Sequence, residues 1–435
     1  MHDPTVPAVA PRLRRSLSAP NLALRHSGDP EAAQLLVRAL GVPPLPTEVL
    51  PEDQALIEGA LATHLFHSFA ARTHPLLVRH LLADVRPEQA VLDPFAGSGT
   101  VLIEGMLRGA RAVGCDISEL AVRLARLKST PMPPGMQAAL VEKAGAVAAA
   151  STERVKARRR PSKNWDQPEH YLPHIYLELC GLREELAAVV KSDPPLGEAL
   201  LLVLSSILIK LSRQRAESRP ESVERSLGKG LPTRLFLRKA EELARLHAAL
   251  WQRLPSPRPP RPLVVQGDAR SCLTSGAPGA LPLWPGSVDC VVTSPPYLGT
   301  YDYASHHARR YAWLDIDPQP IERGEMAARR HGEKLTLPAL LGNHQRDTEA
   351  WVGAVARLLK PTARLFVLVG DSLVGGEHID GARPILQAAE RGGLRLLARA
   401  AAERPHFFRP QTATGVDPRT LPPRCEHLLL LVPST

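Results

Sequence analysis

Ala90-Val91-Leu92-Asp93-Pro94-Phe95-Ala96-Gly97-Ser98-Gly99-Thr100 is the stretch that decides the fold class. Its apolar start ending on an acid reads as a short buried strand, its two glycines as a tight turn, and residues 101–108 as the helix that leaves the turn. Strand, glycine turn and helix form the opening half of a nucleotide-type βαβ unit. Gly109-Ala110-Arg111 closes the helix. Ala112-Val113-Gly114-Cys115-Asp116 then reads as a second strand, ending on an acid about twenty positions beyond the glycines, the spacing that cofactor-ribose recognition requires in such units.

Working outward, residues 262–268, 288–293, 364–369 and 426–432 are further short apolar strands, and helical stretches such as 348–359 separate several of them. This alternation predicts an α/β protein with a doubly wound, mostly parallel Rossmann-like sheet and helices on both faces. Upstream, residues 51–85 carry a helical apolar pattern broken at Thr73-His74-Pro75, where proline suits the first turn of a new helix. Between the second and third strands lie about 140 residues without a strand signal, far too many for an ordinary connection. They predict a long helical insertion. From residue 151 to 261, 21 Lys and Arg face 13 Asp and Glu, so this stretch holds +8 of the chain's net +10. Arg158-Arg159-Arg160-Pro161 and a proline-rich segment at 255–262 mark its ends as semi-rigid linkers. The expected organisation is an extension over 1–50 with one short helix at 30–40, the first part of the sheet domain over 51–130, the basic insertion over 131–261, and the second part of the sheet domain over 262–435.

Length and composition agree with this division. At 435 residues there is room for two or three domains of ~100–200 residues. The 44% hydrophobic and 23% charged fractions are those of a globular protein, while 43 prolines, about twice the usual ~5%, argue many loops. Five dispersed cysteines without a Cys-x-x-Cys pair disfavour both a disulfide framework and structural zinc, so reduced thiols and a cytoplasmic location are expected. The apolar run at 199–209 is short of the ~18 residues that a membrane span needs, and none is expected. Residues 1–20 carry Arg12, Arg14 and Arg15 without a following apolar stretch, which reads as a basic tail and not a secretory signal. The positive field favours a polyanionic partner.

Two segments carry chemistry. The glycine turn lets a ligand approach the backbone, and the helix after it offers free N–H donors. A phosphate loop would need lysine after the glycines, and a dinucleotide turn a third glycine at position 102; neither is present. An acidic strand end beside a short glycine turn suits a ligand both cationic and zwitterionic, as S-adenosylmethionine is. The second segment, Thr293-Ser294-Pro295-Pro296-Tyr297, follows the fourth strand at the edge where open α/β sheets keep their ligands. Its prolines fix the backbone, Ser294 adds a hydroxyl acceptor and Tyr297 an aromatic face.

Together these segments resemble the amino-group nucleic-acid methyltransferases, in which Asp-Pro-Phe-x-Gly-Ser-Gly-Thr binds S-adenosylmethionine and Ser-, Asp- or Asn-Pro-Pro-Tyr handles the target amine. The resemblance covers residues 61–130 and 262–433 and includes Thr73-His74-Pro75, similar to the family's Lys-Pro segment with His74 in place of lysine. It implies that Thr73, Asp93, Pro94, Phe95, Ala96, Gly97, Ser98, Gly99 and Thr100 surround the methionine moiety. Asp116 would hold the ribose hydroxyls, Ile117 the adenine face and Asp268 the adenine amino group, although a Gly-Asp turn that caps a strand needs no ligand. Ser294, Pro295, Pro296 and Tyr297 become the catalytic loop. Serine in the first position is commonest in enzymes acting on cytosine N4, and Asp or Asn in those acting on adenine N6. If Ser294 Oγ and the Pro295 carbonyl accept both N–H bonds of an exocyclic amine, its lone pair is localised toward the methyl carbon without a metal. The base must be flipped out of a duplex, with Tyr297 stacking on it.

The function this implies is a site-specific DNA methyltransferase acting on double-stranded DNA, with cytosine N4 ahead of adenine N6. RNA base methylation or a noncatalytic nucleic-acid-binding module are the rivals, and a restriction endonuclease is a possible partner. Tyr301, Tyr303, Arg309 and Arg310, interleaved with His306, His307, Tyr311 and Trp313, would hold phosphates and stack bases, or would form the buried side of a helix; both readings stay open. His306 and His307 lack a carboxylate or cysteine at ligand spacing, so no metal is expected. In the insertion, Arg158, Arg159, Arg160, Lys210, Arg213 and Arg215 are candidates for tracking a phosphate backbone, against the default of a solvated charged face.

Overall fold

A computed structural model describes residues 24–43, 53–70, 72–216, 219–273, 281–332, 335–403 and 424–434. Much of the expected N-terminal extension, including the basic tail, lies outside the described residues. In chain order the strands are β1 Leu24–Gly28, β2 Ala90–Asp93, β3 Arg111–Asp116, β4 Gln214–Ala216, β5 Arg219–Ser222, β6 Leu263–Gln266, β7 Val288–Thr293, β8 Leu359–Gly370, β9 Ser372–Val374, β10 Glu377–Ile379, β11 Leu394–Glu403 and β12 Cys425–Pro433. Eight of them form one sheet in the order β1-β11-β12-β8-β7-β2-β3-β6. The pairings from β8 through β7, β2 and β3 to β6 are parallel. β12 runs against β8 and β11, and β1 against β11.

The doubly wound, mostly parallel expectation therefore holds for the half of the sheet that matters to the site. β2 is buried along its whole length, as a strand covered on both faces must be, which is why it reads as a continuous apolar run. Successive crossovers from β2 go one way, to β3 and β6, and those from β7 go the other way, to β8. The order thus reverses between β2 and β7, and the crevice at their carboxyl ends is where open α/β sheets bind ligands.

Two sheet strands have no clear sequence signal. β11 is rich in alanine, a weak strand former, and β1 is exposed at every residue, so neither shows an alternating apolar pattern. β1 continues into the helix Pro30–Leu40, whose buried Ala33, Leu36, Ala39 and Leu40 share a core with Val78, Phe366 and Leu430. Residues 24–40 are thus part of the sheet domain and not an appendage. Asp29 caps that helix by accepting from the Ala32 amide at 2.9 Å. Pro75 opens the helix Pro75–Leu81 as its sequence predicts, with His74 Nδ1 accepting from the Leu76 amide at 3.1 Å.

The long insertion is helical. Helices Pro134–Lys156, Pro173–Ser192, Pro194–Leu211 and Leu231–Arg253 account for most of it, with β4 and β5 as a small hairpin that sequence did not indicate. Its core also takes in Leu120 and Leu124, which follow β3, and Tyr311, Trp313 and Leu314, which follow the Pro-Pro loop. The insertion is thereby packed against both lips of the crevice. Pro194–Leu211 is long and apolar enough by length and composition to cross a membrane, longer than the apolar run alone suggested, and 67% of it is buried inside this core. Trp313 is fully buried and donates from Nε1 to Tyr171 Oη at 2.9 Å, so of the two readings of the 301–313 stretch the packed helix face is realised at its far end.

Candidate active site

The turn after β2 is built by conformations that only glycine adopts without strain: Gly97 has φ +49° and Gly99 φ +88°. A Cβ on Gly99 would stand 2.9 Å from Ala125 Cα, so the helix Glu119–Ser129 crosses directly behind the turn. From that helix the fully buried Lys128 donates to Ser98 Oγ at 3.1 Å, and burial, with Arg72 nearby, holds its amine well below the ordinary lysine range.

Two carboxylates frame the turn. Asp93 Oδ1 accepts from the Phe95 amide at 3.0 Å and from Thr293 Oγ1 at 2.7 Å. Burial pushes its carboxyl up to about 7 against those two bonds. Asp116 Oδ2 accepts from the Gly97 amide at 2.8 Å and Oδ1 from the Ser118 amide at 2.9 Å, and burial pushes it up to about 6. Each Asp116 oxygen retains a lone pair toward the crevice, so the side chain both closes the glycine turn and can accept from hydroxyls of a ligand.

One cavity lies between these elements. Of the sequence-derived cofactor candidates, Thr73, Pro94, Phe95, Asp116, Ile117 and Asp268 line it, and of the catalytic candidates Ser294 and Pro296 line it. The Gly turn and the Pro-Pro loop therefore open into the same space. Asp93, Ala96, Gly97, Ser98, Gly99, Thr100, Pro295 and Tyr297 do not line that cavity and form the frame behind it.

Asp268 differs from expectation. Its carboxylate accepts from Arg270 Nε at 2.9 Å and from the Arg270 amide at 2.9 Å, and Arg270 continues to Asp347 at 2.6 Å and to the Gly324 carbonyl at 3.0 Å. The acid is committed to an ion-pair chain that fastens residue 324 over the cavity. Gly324 packs against the tip of the Ile117 side chain, which would have to shift to admit a Cβ there.

Tyr297 differs too. It is 8% exposed, and a Cβ on Gly370 would meet its Cε2 at 2.7 Å, so its ring packs against the end of β8. Its hydroxyl receives a bond from Ser294 Oγ and donates to Glu426 Oε1, each at 3.4 Å. The aromatic faces at the cavity belong instead to Phe69 and Tyr303, stacked with centroids 6.2 Å apart and planes at 18°. Phe69 has no reading as a site residue in the sequence, whereas Tyr303 belongs to the run expected either to hold phosphates and stack bases or to form the buried side of a helix. Phe69 lies four residues before Thr73, the faint signal that could have found it.

Beside Gly370, Asp371 accepts from His427 Nε2 at 2.8 Å, His378 Nε2 at 3.1 Å and the Cys425 amide at 2.9 Å, and its carboxyl is held to about 2 because these bonds outweigh burial. Asp371, Asp380 and His427 are close enough to share a cation. Arg399 donates to His427 Nδ1 at 3.0 Å, so the imidazole carries its proton on Nε2 and works as a donor to Asp371.

The nucleic-acid candidates separate. Arg158, Arg159 and Arg160 are exposed past the end of their helix and border a groove of their own with Leu177 and Gly181. Lys210, Arg213 and Arg215 are exposed at the end of Pro194–Leu211 and in the hairpin. Arg309 is half-buried and donates to Gln214 Oε1 at 2.6 Å, and Tyr301 stacks on Tyr303 at 5.6 Å. Arg310 is corrected: at 1% exposure it donates to the Ser205 carbonyl at 2.6 Å and Ser68 Oγ at 3.0 Å. Its helix turns that residue toward the insertion core, away from any phosphate.

Known proteins echo the cofactor half of this site. The family of N6 and N4 methyltransferases described as DNA methylase matches residues 64–127. The Type II methyltransferase M.MvaI of Kocuria varians is 38% identical over 76 residues, which is 17% of this chain and 17% of that protein. The matched stretch thus spans less than a fifth of that relative. Among solved structures, TrmN from Thermus thermophilus aligns at a TM-score of 0.31 and 13% identity over 89% of this chain and 55% of its own. The rRNA methyltransferase aviRa from Streptomyces viridochromogenes aligns at 0.31 and 13% over 88% and 94%.

Proposed function

We propose, with residues 64–127 as a segment of the amino-group DNA methylase family, that this protein transfers a methyl group from S-adenosylmethionine to the exocyclic amine of a DNA base, cytosine N4 by preference. The observation that carries this reading is the shared cavity, in which Asp116 and Ile117 face Ser294 and Pro296.

The residues present fit the cofactor. Asp116 offers carboxylate oxygens to ribose hydroxyls, Ile117 an apolar face to a purine, and the left-handed glycine turn leaves the backbone bare for close approach. The buried carboxyl of Asp116, which lines the cavity, suits a ligand with a positive centre, because a neighbouring cation restores the charged form that burial disfavours. When bound, the cofactor supplies a methyl group activated by sulfonium.

The protein's own part is alignment. Ser294 Oγ donates to Tyr297, which leaves its lone pairs to accept one N–H of the amine, and the Pro295 carbonyl accepts the other. Two acceptors below the plane localise the nitrogen lone pair and aim it into the cavity. Phe69 and Tyr303 supply flat surfaces for an extruded base, a stacking interaction worth ~1–3 kcal/mol per base. The serine in the first position of the loop supports cytosine N4 over adenine N6. The helical insertion, with exposed Arg158, Arg159, Arg160, Lys210, Arg213 and Arg215, is proposed as the surface that tracks duplex phosphates. Five free cysteines suit a reducing compartment, which supports a cytoplasmic location.

Mass spectrometry of nucleosides from duplex DNA and from RNA exposed to protein and cofactor tests this. N4-methylcytosine in DNA is expected. N6-methyladenine would replace the base, modification of RNA alone would replace the polymer, and no product would end the proposal.

A further inference from the structure

We propose that Glu426 is the terminal proton acceptor of the methyl transfer, reached from the target amine through Ser294 and Tyr297. The inference rests on the function proposed above and deepens it. It starts from a chemical shortfall: an amine that gains a methyl group while keeping both hydrogens carries a positive charge and must shed one proton. A serine hydroxyl accepts an N–H bond well but is no base at neutral pH. The protein must therefore connect it to one.

The connection is a chain of hydroxyls. Ser294 Oγ donates to Tyr297 Oη at 3.4 Å, and Tyr297 Oη donates to Glu426 Oε1 at 3.4 Å. Both are long for O–H···O bonds, as catalytic hydrogen bonds often are before substrate closes the site. The ring packs against Gly370, where an added Cβ would stand 2.7 Å from Cε2, so the phenol is supported on that side. Glu426 does not line the cofactor cavity, so the amine reaches it through Tyr297. It comes to this rim because β12 is antiparallel to its neighbours, which brings the beginning of that strand beside the carboxyl end of β8.

The step balances. The nitrogen lone pair forms the N–C bond as the C–S bond breaks and leaves its electron pair on sulfur. One N–H proton passes to Ser294 Oγ, the Ser294 hydroxyl proton passes to Tyr297 Oη, and the Tyr297 proton passes to Glu426. Ser294 and Tyr297 end as they began, the methylated amine is neutral, and Glu426 holds the proton until solvent takes it. Tyr297, Tyr301 and Arg424 are among the charged and titratable groups that face Glu426.

The test uses the full chain with duplex DNA in single turnover. Glu426→Gln keeps the hydrogen bond and removes the base, and is expected to slow transfer about 100-fold while leaving cofactor affinity, which reports an intact fold, unchanged. With cofactor saturating, the pH–rate profile of that variant should differ from the wild type's. Tyr297→Phe should cost a similar factor, and the double variant no more than either single one. Glu426→Asp should recover part of the rate. Infrared difference spectra should show a protonated carboxyl band on turnover that Glu426→Gln lacks. Wild-type rate and pH profile in Glu426→Gln, or multiplicative losses in the double variant, would overturn the relay and leave the methyltransferase reading standing. A wild-type protein that methylates no nucleic acid would overturn both.

Discussion

Asp93 and Thr293 are joined side chain to side chain, Oγ1 to Oδ1 at 2.7 Å, across 200 residues of chain. They end β2 and β7, the two strands between which the sheet order reverses. This bond couples the glycine turn to the Pro-Pro loop, so the position of one lip of the crevice is set by the other.

Thr293→Val removes the donor and leaves a buried carboxyl with only the Phe95 amide. A loss of about 1–3 kcal/mol of stability is expected from one unsatisfied buried group, and Thr293→Ser should recover most of it. Denaturant unfolding of the three proteins checks this; equal midpoints for Val and wild type would show the bond to be idle.

The raised carboxyls set a pH dependence. Asp93 and Asp116 sit at about 7 and about 6 in the fold against an ordinary 3.8, so the folded state holds protons that the unfolded chain has already lost. Their stabilising share is fully present below about pH 4 and is lost as pH rises through 6 to 7. A cationic ligand beside Asp116 favours the ionised form, so cofactor binding should release protons and weaken below about pH 6. Calorimetric titration in buffers of different ionisation enthalpy measures that release, and Asp116→Asn should abolish its share.

Gly370→Ala places a methyl group 2.7 Å from the Tyr297 ring. The ring must shift, and with it the hydroxyl that meets Ser294. Methyl transfer should fall at least tenfold while cofactor affinity stays within about twofold, because neither residue lines the cofactor cavity. Equal loss of both would point to a general defect in folding.

Charge reversal of Arg158, Arg159 and Arg160 together should weaken binding to any duplex sequence and flatten the salt dependence. For every phosphate that the protein ceases to neutralise, the slope of log affinity against log salt becomes shallower by about 0.9. Fluorescence anisotropy across a salt series reads both. An unchanged slope would remove this cluster from the DNA surface. Arg310→Met, in contrast, should act on stability and not on the slope, since Arg310 is buried against Ser205 and Ser68.

The cofactor half of the site was legible in the linear chain because its parts are local. Strand, glycine turn, helix and second acid occupy residues 90–116, and each step is dictated by residues a few positions away: apolar runs for β2 and β3, positive φ for Gly97 and Gly99. Thr73, Asp116, Ile117 and Ser294 accordingly fall on the cavity. What failed were readings of side chains whose direction is set by distant packing. Arg310 and Tyr297 look like surface chemistry in sequence and are packed inside, while Phe69 looks like an ordinary aromatic and lines the cavity.

Sequence by itself determined the central parallel strands, the glycine turn and its acids, the Pro-Pro loop and the helical, basic insertion. Tertiary structure alone decided that β1 and β11 complete the sheet, that Asp268 answers to Arg270, and that Glu426 arrives beside Tyr297. Periodicity and turn chemistry are set by neighbours along the backbone. Exposure and hydrogen-bond partnership are set by whatever packs against a residue, here from as much as 200 positions away.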